Sequence, residues 1–216
     1  MKNIVIYGAG GYGKEIACLI NKINETSEQG KLFNLIGFID DGKVVGYDTE
    51  YGLVLGGVSY LNECKSQLGV VLAIGNPTTI EHIVSKINNK NIFFPNIIAP
   101  NTGYYDIDSF KIGQGNVIAS SCFFSCNVHI GNFNIFNGEV NFGHDAKVGD
   151  YNVFMPGTRI SGEVNIGDQN LFGVYSVVIQ QVNIGNKTTV SPSSVIMRKT
   201  KDNSIYIGNP AKVFKF

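Results

Sequence analysis

Ile130-Gly131-Asn132-Phe133-Asn134-Ile135-Phe136-Asn137-Gly138-Glu139-Val140-Asn141-Phe142-Gly143-His144-Asp145-Ala146-Lys147-Val148 carries an apolar residue at every sixth position: Ile130, Phe136, Phe142 and Val148. The phase runs without a break from Ile112 to Ile196. Two residues before each of these lies a second register, including Asn116, Cys122, Val128, Asn134, Val140, Ala146, Asn152 and Thr158, whose members are nearly all small. A third signal is glycine at Gly113, Gly131, Gly149, Gly167 and Gly185, spaced by eighteen residues, which is three hexads. An amphipathic helix repeats at 3.6 and a half-buried strand at 2, so neither produces sixes within eighteens. A hexapeptide solenoid does, with three flat faces per coil and one large and one small residue of each face pointing inward. The expectation is five coils of a triangular parallel β-helix. An ordinary β-sandwich has turns of varied length and would lose the phase within two strands.

The solenoid occupies the second half of a 216-residue chain, which leaves residues 1–95 for a separate α/β domain ahead of residues 96–216. Formal net charge is zero, so the chain has no electrostatic footprint for nucleic acid or an anionic membrane. The apolar stretch Ile4-Val5-Ile6-Tyr7 is too short for a signal-peptide core and no run is long enough to span a bilayer, which places the protein in the cytoplasm. Cys18, Cys64, Cys122 and Cys126 lack framework spacing and stay reduced there. Cys122 falls on the inward register while Cys126 and His129 do not, so no metal site is expected.

In the first domain, Asn3–Tyr7 reads as a buried parallel strand that runs into Gly8-Ala9-Gly10-Gly11-Tyr12-Gly13 and then a helix with an apolar face. Leu35–Ile39 is a second strand ending in Asp40-Asp41. Val70–Ile74 is another, ending in Gly75-Asn76-Pro77. Thr78 with Glu81 resembles a capping box opening a helix through Ile87, and Ile92-Phe93-Phe94 closes the sheet. These loops all lie at strand C-termini, where an open α/β sheet binds its ligand. The glycine turn at a helix N-terminus favours a phosphate. It does not by itself specify NAD, because a dinucleotide domain needs two mononucleotide halves and here about one half and a strand are legible. The rival explanation is that the glycines serve helix–strand packing.

A mononucleotide-type α/β domain followed by a hexapeptide solenoid resembles the bacterial sugar O-/N-acetyltransferases that act on nucleotide-linked 4-amino sugars or on sialic acid. The motifs that carry the resemblance are Asn141–Tyr151, Pro156-Gly157, Ser161-Gly162 and the closing Gly208-Asn209-Pro210-Ala211-Lys212. It implies a left-handed β-helix and an acetyl-CoA-dependent acyltransferase without a metal. It also implies that His144 is the general base, strengthened by Asp145. An imidazole suits that task at neutral pH, and a corner position would leave it accessible. Acetyl transfer would then be direct. Cys126 and the serines have no paired base in sequence, which disfavours an acyl-enzyme. The resemblance further implies cofactor contacts at Gly162, Gly173, Val174 and Pro192, assembled between protomers of a homotrimer. Sugar-nucleotide contacts would lie at Gly10, Gly11, Tyr12, Asp40, Asp41 and Gly75. Lys187, Lys199 and Lys212 could reach the coenzyme's phosphates, but a lysine near the end of a solenoid is more often simply solvated, and they are left out of the site. Relatives commonly have His where this chain has Tyr12. They also carry a second His nine residues after the first, at Val153 here, which leaves the thioester to backbone and apolar contacts.

The leading expectation is N-acetylation of a nucleotide-linked 4-amino-4,6-dideoxysugar for surface glycan synthesis. O-acetylation of sialic acid or a related sugar is the enzymatic rival. A non-catalytic sugar-nucleotide-binding scaffold and a nicotinamide oxidoreductase are the rivals from other classes.

Overall fold

The computed structural model describes residues 1–214. The chain forms two compact units, Met1–Pro100 and Asn101–Phe216.

The first unit is a parallel sheet with order β3-β2-β1-β4-β5, built from β1 (Lys2–Tyr7), β2 (Phe33–Ile39), β3 (Val54–Gly56), β4 (Leu68–Leu72) and β5 (Ile92–Phe93). Helices α1 (Gly11–Thr26), α2 (Val58–Glu63) and α3 (Pro77–Lys86) connect the strands. Ile4, Val5 and Ile6 of β1 are fully buried, as a central parallel strand requires, and α1 turns Ile16, Ala17, Ile20 and Ile23 inward at helical spacing. The chain order reverses between β1 and β4, so the loops after these strands flank the topological switch point. The sheet has five strands, where the sequence showed four. The short β3 and α2 lacked any periodic signal to announce them. The α3 cap also differs from the expected Thr78–Glu81 box: Asn76 accepts a hydrogen bond from the Thr79 N–H at 3.0 Å, and Pro77 occupies the first turn.

The second unit is a left-handed parallel β-helix. Two-residue strands stack at intervals of eighteen residues on three faces. The first face includes Phe123–Phe124, Asn141–Phe142, Arg159–Ile160 and Val177–Val178. The second includes Lys111–Ile112, His129–Ile130, Lys147–Val148 and Asn165–Ile166. The third includes Val117–Ile118, Ile135–Phe136, Val153–Phe154 and Leu171–Phe172. The large inward register forms aromatic columns, with Phe124 on Phe142 at 5.5 Å and Phe136–Phe154–Phe172 stacked at 5.0 and 4.7 Å between centroids. Full burial of each such ring contributes about 1.5–3 kcal/mol. The small register carries a buried amide ladder: Asn134, Asn152 and Asn170 each donate Nδ2 to the Oδ1 of the asparagine one coil below, at 3.1, 3.0 and 2.9 Å.

The spaced glycines have a steric cause. A Cβ on Gly131, Gly149 or Gly167 would occupy the space taken by the side-chain oxygen of Asp150, Asp168 or Asn186 of the next coil. Each of those oxygens accepts a backbone N–H, as Asp168 does from the Asp150 N–H at 2.8 Å. Every corner from Ser121 to Ser193 turns through one left-handed residue, the third after each inward large side chain; the non-glycine members have φ between 53° and 64°. Such a residue costs on the order of 1 kcal/mol unless its surroundings hold it. Here each corner amide is tied to the coil below, for example the Asp145 N–H to the Cys126 carbonyl at 3.0 Å.

Candidate active site

Counting three residues past inward Phe142 reaches the corner Gly143-His144-Asp145-Ala146, in which Asp145 is the left-handed residue with φ 59°. The turn throws both functional side chains outward: His144 is 47% and Asp145 49% exposed. His144 Nδ1 and Asp145 Oδ2 are 2.7 Å apart. A carboxylate there accepts an N–H from Nδ1, which leaves Nε2 with the lone pair a general base needs. Gly162, one coil above, lies directly against the ring. A Cβ there would stand 2.6 Å from Nε2, so the glycine is what lets the imidazole lie flat against the next corner.

Two residues absent from the sequence expectations complete the corner. Asn127, one coil below, donates Nδ2 to Asp145 Oδ1 at 3.1 Å. Its own N–H donates to Ser109 Oγ at 2.8 Å. The hydrogen bond from His144, then that from Asn127, holds the Asp145 carboxyl below its usual range. Glu163, one coil above, accepts from Gln181 at 3.1 Å and Gln180 at 3.0 Å, and these amides, Gln181 first, lower its pKa as well. Asn127, Asp145 and Glu163 form one edge of a groove of about 570 Å³ whose floor on the second face includes Lys111, His129 and Lys147. The period supplies the missing signal: residues eighteen before and after Asp145 stack on it.

The remaining solenoid candidates do not join this corner within one chain. Gly173 and Val174 lie at the corner after the third face, where a Cβ on Gly173 would stand 2.5 Å from the Pro192 nitrogen. Gly162 lies at the corner after the first face, so the two sets are separated by one flat face. Val153 is fully buried, and a polar ligand contact from that side chain is closed off. Cys122 is buried, its thiol pushed up to about 11 by desolvation; Cys126 is partly exposed, with Ser125 Oγ against its sulfur at 3.9 Å.

In the first unit the glycines divide by cause. Gly8 has φ 113°, and a Cβ on Gly13 would collide with the Gly8 carbonyl, so turn geometry and packing demand both. Gly10, Gly11 and Gly75 are exposed, and a Cβ on any of them would meet nothing within 4 Å. Packing therefore accounts for the outer glycines of the motif and leaves the ones that face the strand ends without an internal reason. Gly10 caps α1 with no side-chain hydrogen bond, and Tyr12 is half-buried in the first turn. Asp40 and Asp41 have structural work as well. Asp40 Oδ2 accepts from the Ala9 N–H and Oδ1 from the Gly42 N–H, each at 2.9 Å. Asp41 Oδ1 accepts from the Val58 N–H at 2.9 Å, and its Oδ2 from the Tyr7 hydroxyl. Among the described residues no helix is long and apolar enough to cross a membrane.

Residues 3–87 match the family model described as the PglD N-terminal domain. WeeI from Acinetobacter baumannii AYE has the same fold over 99% of this chain and 100% of its own, at 27% identity and a TM-score of 0.87. The acetyltransferase domain of PglB from Neisseria gonorrhoeae FA1090, solved in complex with acetyl coenzyme A, matches over 99% of both chains at 25% identity and a TM-score of 0.86. A mutant of perosamine N-acetyltransferase from Caulobacter crescentus, solved with CoA and GDP-perosamine, covers 100% of this chain and 98% of its own at 23% identity and a TM-score of 0.87, which establishes likeness of fold. No curated protein matches the chain.

Proposed function

We propose that the chain is an acetyl-CoA-dependent sugar acetyltransferase of the hexapeptide-repeat type, and that it N-acetylates a nucleotide-linked 4-amino-4,6-dideoxysugar in surface glycan synthesis. The observation that carries the reading is the His144–Asp145 pair at 2.7 Å, half-exposed at a corner beside a groove. Acetyl-CoA supplies a thioester carbonyl as the electrophile. His144 Nε2 takes the proton from the attacking amine as the C–N bond forms, and Asp145 steadies the resulting imidazolium through the Nδ1 proton. Collapse of the tetrahedral intermediate breaks the C–S bond, the imidazolium returning its proton to the departing coenzyme A thiolate. The Gly162 N–H, on the corner against which the ring lies, serves as the backbone donor to the developing oxyanion. In this reading no covalent acyl-enzyme intervenes.

The separation of Gly162 from Gly173, Val174 and Pro192 by a flat face supports a cofactor site shared between copies, and so a homotrimer. Gly10, Gly11 and Gly75, with Tyr12, Asp40 and Asp41 around them, are the residues we assign to the sugar nucleotide: open glycines at a switch point leave room for a diphosphate to approach the bare N-terminus of α1. Asp40 and Asp41 shape that loop through their backbone bonds. The same reading puts the reaction in the cytoplasm.

Thiol release from acetyl-CoA, measured against a panel of nucleotide 4-amino sugars and free sialic acids, tests the assignment. Turnover with an aminosugar nucleotide, falling by at least ~100-fold in His144→Ala, is expected. Activity on free sialic acid alone would reassign the enzyme to O-acetylation. Sugar-nucleotide binding without turnover would make it a scaffold.

A further inference from the structure

We infer that Asn127 is a positioning residue of this site, acting on His144 through Asp145. The inference rests on the reading of His144 as the base. Asp145 Oδ2 faces the imidazole at 2.7 Å and Oδ1 accepts the Asn127 amide at 3.1 Å, so one carboxylate is held from both sides. Asp145 and His144 are about half exposed, and a carboxylate in that setting has several rotamers to choose from. Packing does not select among them; the donor one coil below does. Asn127 is itself fixed: it is the left-handed residue of its corner, with φ 57°, and its N–H is bonded to Ser109 Oγ at 2.8 Å. The chain of contacts runs Ser109, Asn127, Asp145, His144, each supported by the solenoid's stacking rather than by any one side chain.

An amide is suited to this place in a way that a cation or a carboxylate is not. It donates a hydrogen bond to Asp145 without adding charge to the groove, whose titratable lining is already Asp145, Glu163, His129, Lys111 and Lys147. The carboxylate thus keeps its full charge for the imidazolium that forms as His144 takes the substrate proton, and it accepts the Nδ1 proton in one fixed direction. Aspartate at position 127 would place a second negative charge on the same column, one coil from Asp145. Alanine would leave Oδ1 to water.

The test uses the full-length enzyme and three variants, Asn127→Ala, Asn127→Asp and Asp145→Ala, with the double variant of the first and last. Asn127→Ala is expected to lower kcat about 10-fold with the KM for either substrate within twofold, as misorientation of a base does. In the Asp145→Ala background the same change should cost less than twofold, since the residue has nothing left to orient. Asn127→Asp should move the acid limb of the kcat/KM profile to higher pH by about 0.5 unit, because an added carboxylate favours the imidazolium. Nitrogen-15 NMR of His144 supplies a readout independent of turnover: the native ring should be the Nδ1–H tautomer, and Asn127→Ala should mix in the other. An unchanged tautomer with unchanged kcat, or an undiminished loss in the Asp145→Ala background, overturns the inference. Failure of the base assignment shows separately, as His144→Ala retaining activity while the NMR spectra still respond to Asn127.

Discussion

Gly162→Ala offers a direct test of the corner, because one methyl group meets the imidazole and little else. The ideal Cβ would stand 2.6 Å from His144 Nε2, 2.8 Å from Cε1 and 2.9 Å from Cδ2. Ordinary contact begins near ~3.5 Å, so the ring must retreat by about 0.9 Å at the nitrogen that takes the proton. Gly162 is not among the left-handed residues, so alanine brings no backbone strain. The ring is half-exposed and has solvent to move into, at about 0.5–1.5 kcal/mol if it leaves its preferred rotamer. Stability should therefore fall by about 1 kcal/mol, or roughly 2–4 °C in Tm for a chain of this size. A displacement of that size at a reacting atom costs on the order of 100-fold in rate.

Gly143→Ala is the matched control. Its Cβ would meet the Gly162 nitrogen at 2.5 Å and the Ser161 carbonyl carbon at 2.7 Å, and backbone in the next coil cannot step aside. Thermal melting and acetyl-CoA-dependent thiol release on both variants separate the two effects. Gly162→Ala should melt near the native temperature and turn over at about 1% of the native rate, whereas Gly143→Ala should lose most of its thermal stability. Gly162→Ala retaining more than half of native turnover, or melting as low as Gly143→Ala, would refute the placement of the imidazole over that glycine.

Asp145→Asn should reduce kcat by about 100- to 10,000-fold while the protein stays folded, with steady-state kinetics and circular dichroism as the checks. The Asp145 pKa is lowered, so the carboxylate stays ionised down through the usual carboxylate range and is lost only below it; a limb of the native pH profile assigned to Asp145 within or above that range would contradict this. Gly10→Ala, which meets no neighbouring atom, should fold normally and raise the KM for the sugar nucleotide at least ~10-fold, while Gly13→Ala should destabilise the first unit against the Gly8 carbonyl. Replacing buried Asn152 by Ala strands the Gly167 carbonyl and the Asn170 N–H and Nδ2, and should cost about 3 kcal/mol or more in denaturant unfolding, with kcat per folded molecule little changed.

The solenoid was legible because its core is periodic: a side chain's direction depends on its position modulo six, and Phe124, Phe142, Asn134 and Asn152 fall where counting puts them. The corner address of His144 followed from the same count. What escaped was whatever the count does not reach. The strand Val54–Gly56 and helix Val58–Glu63 are too short to show a period. The start of α3 was misread because Thr78 and Glu81 have the composition of a capping box while Asn76, two residues earlier, makes the bond. Asn127 and Glu163 were overlooked for a different reason. Neither neighbours His144 along the chain; they meet its corner only down the column, at intervals of eighteen.

That column also explains why catalysis suits a corner. On a face, an inward side chain is locked into the aromatic or amide stack, and an outward one shares a ladder whose geometry repeats in every coil. A corner residue such as Asp145 is built into the solenoid through its backbone N–H to the coil below, so the identity of its side chain can differ from coil to coil: Asn127, Asp145, Glu163 and Gln181 occupy one edge without disturbing the core. The left-handed conformation comes most easily to Asn, Asp and Gly, although the solenoid also holds Phe133, Glu163 and Gln181 in it. Aspartate at 145 and asparagine at 127 meet that backbone preference and the chemical requirement together, so exchanging Asp145 for Asn alters charge and leaves the turn intact. Loss of turnover in Asp145→Asn can then be read as the loss of a charge beside the imidazole, with the fold held constant.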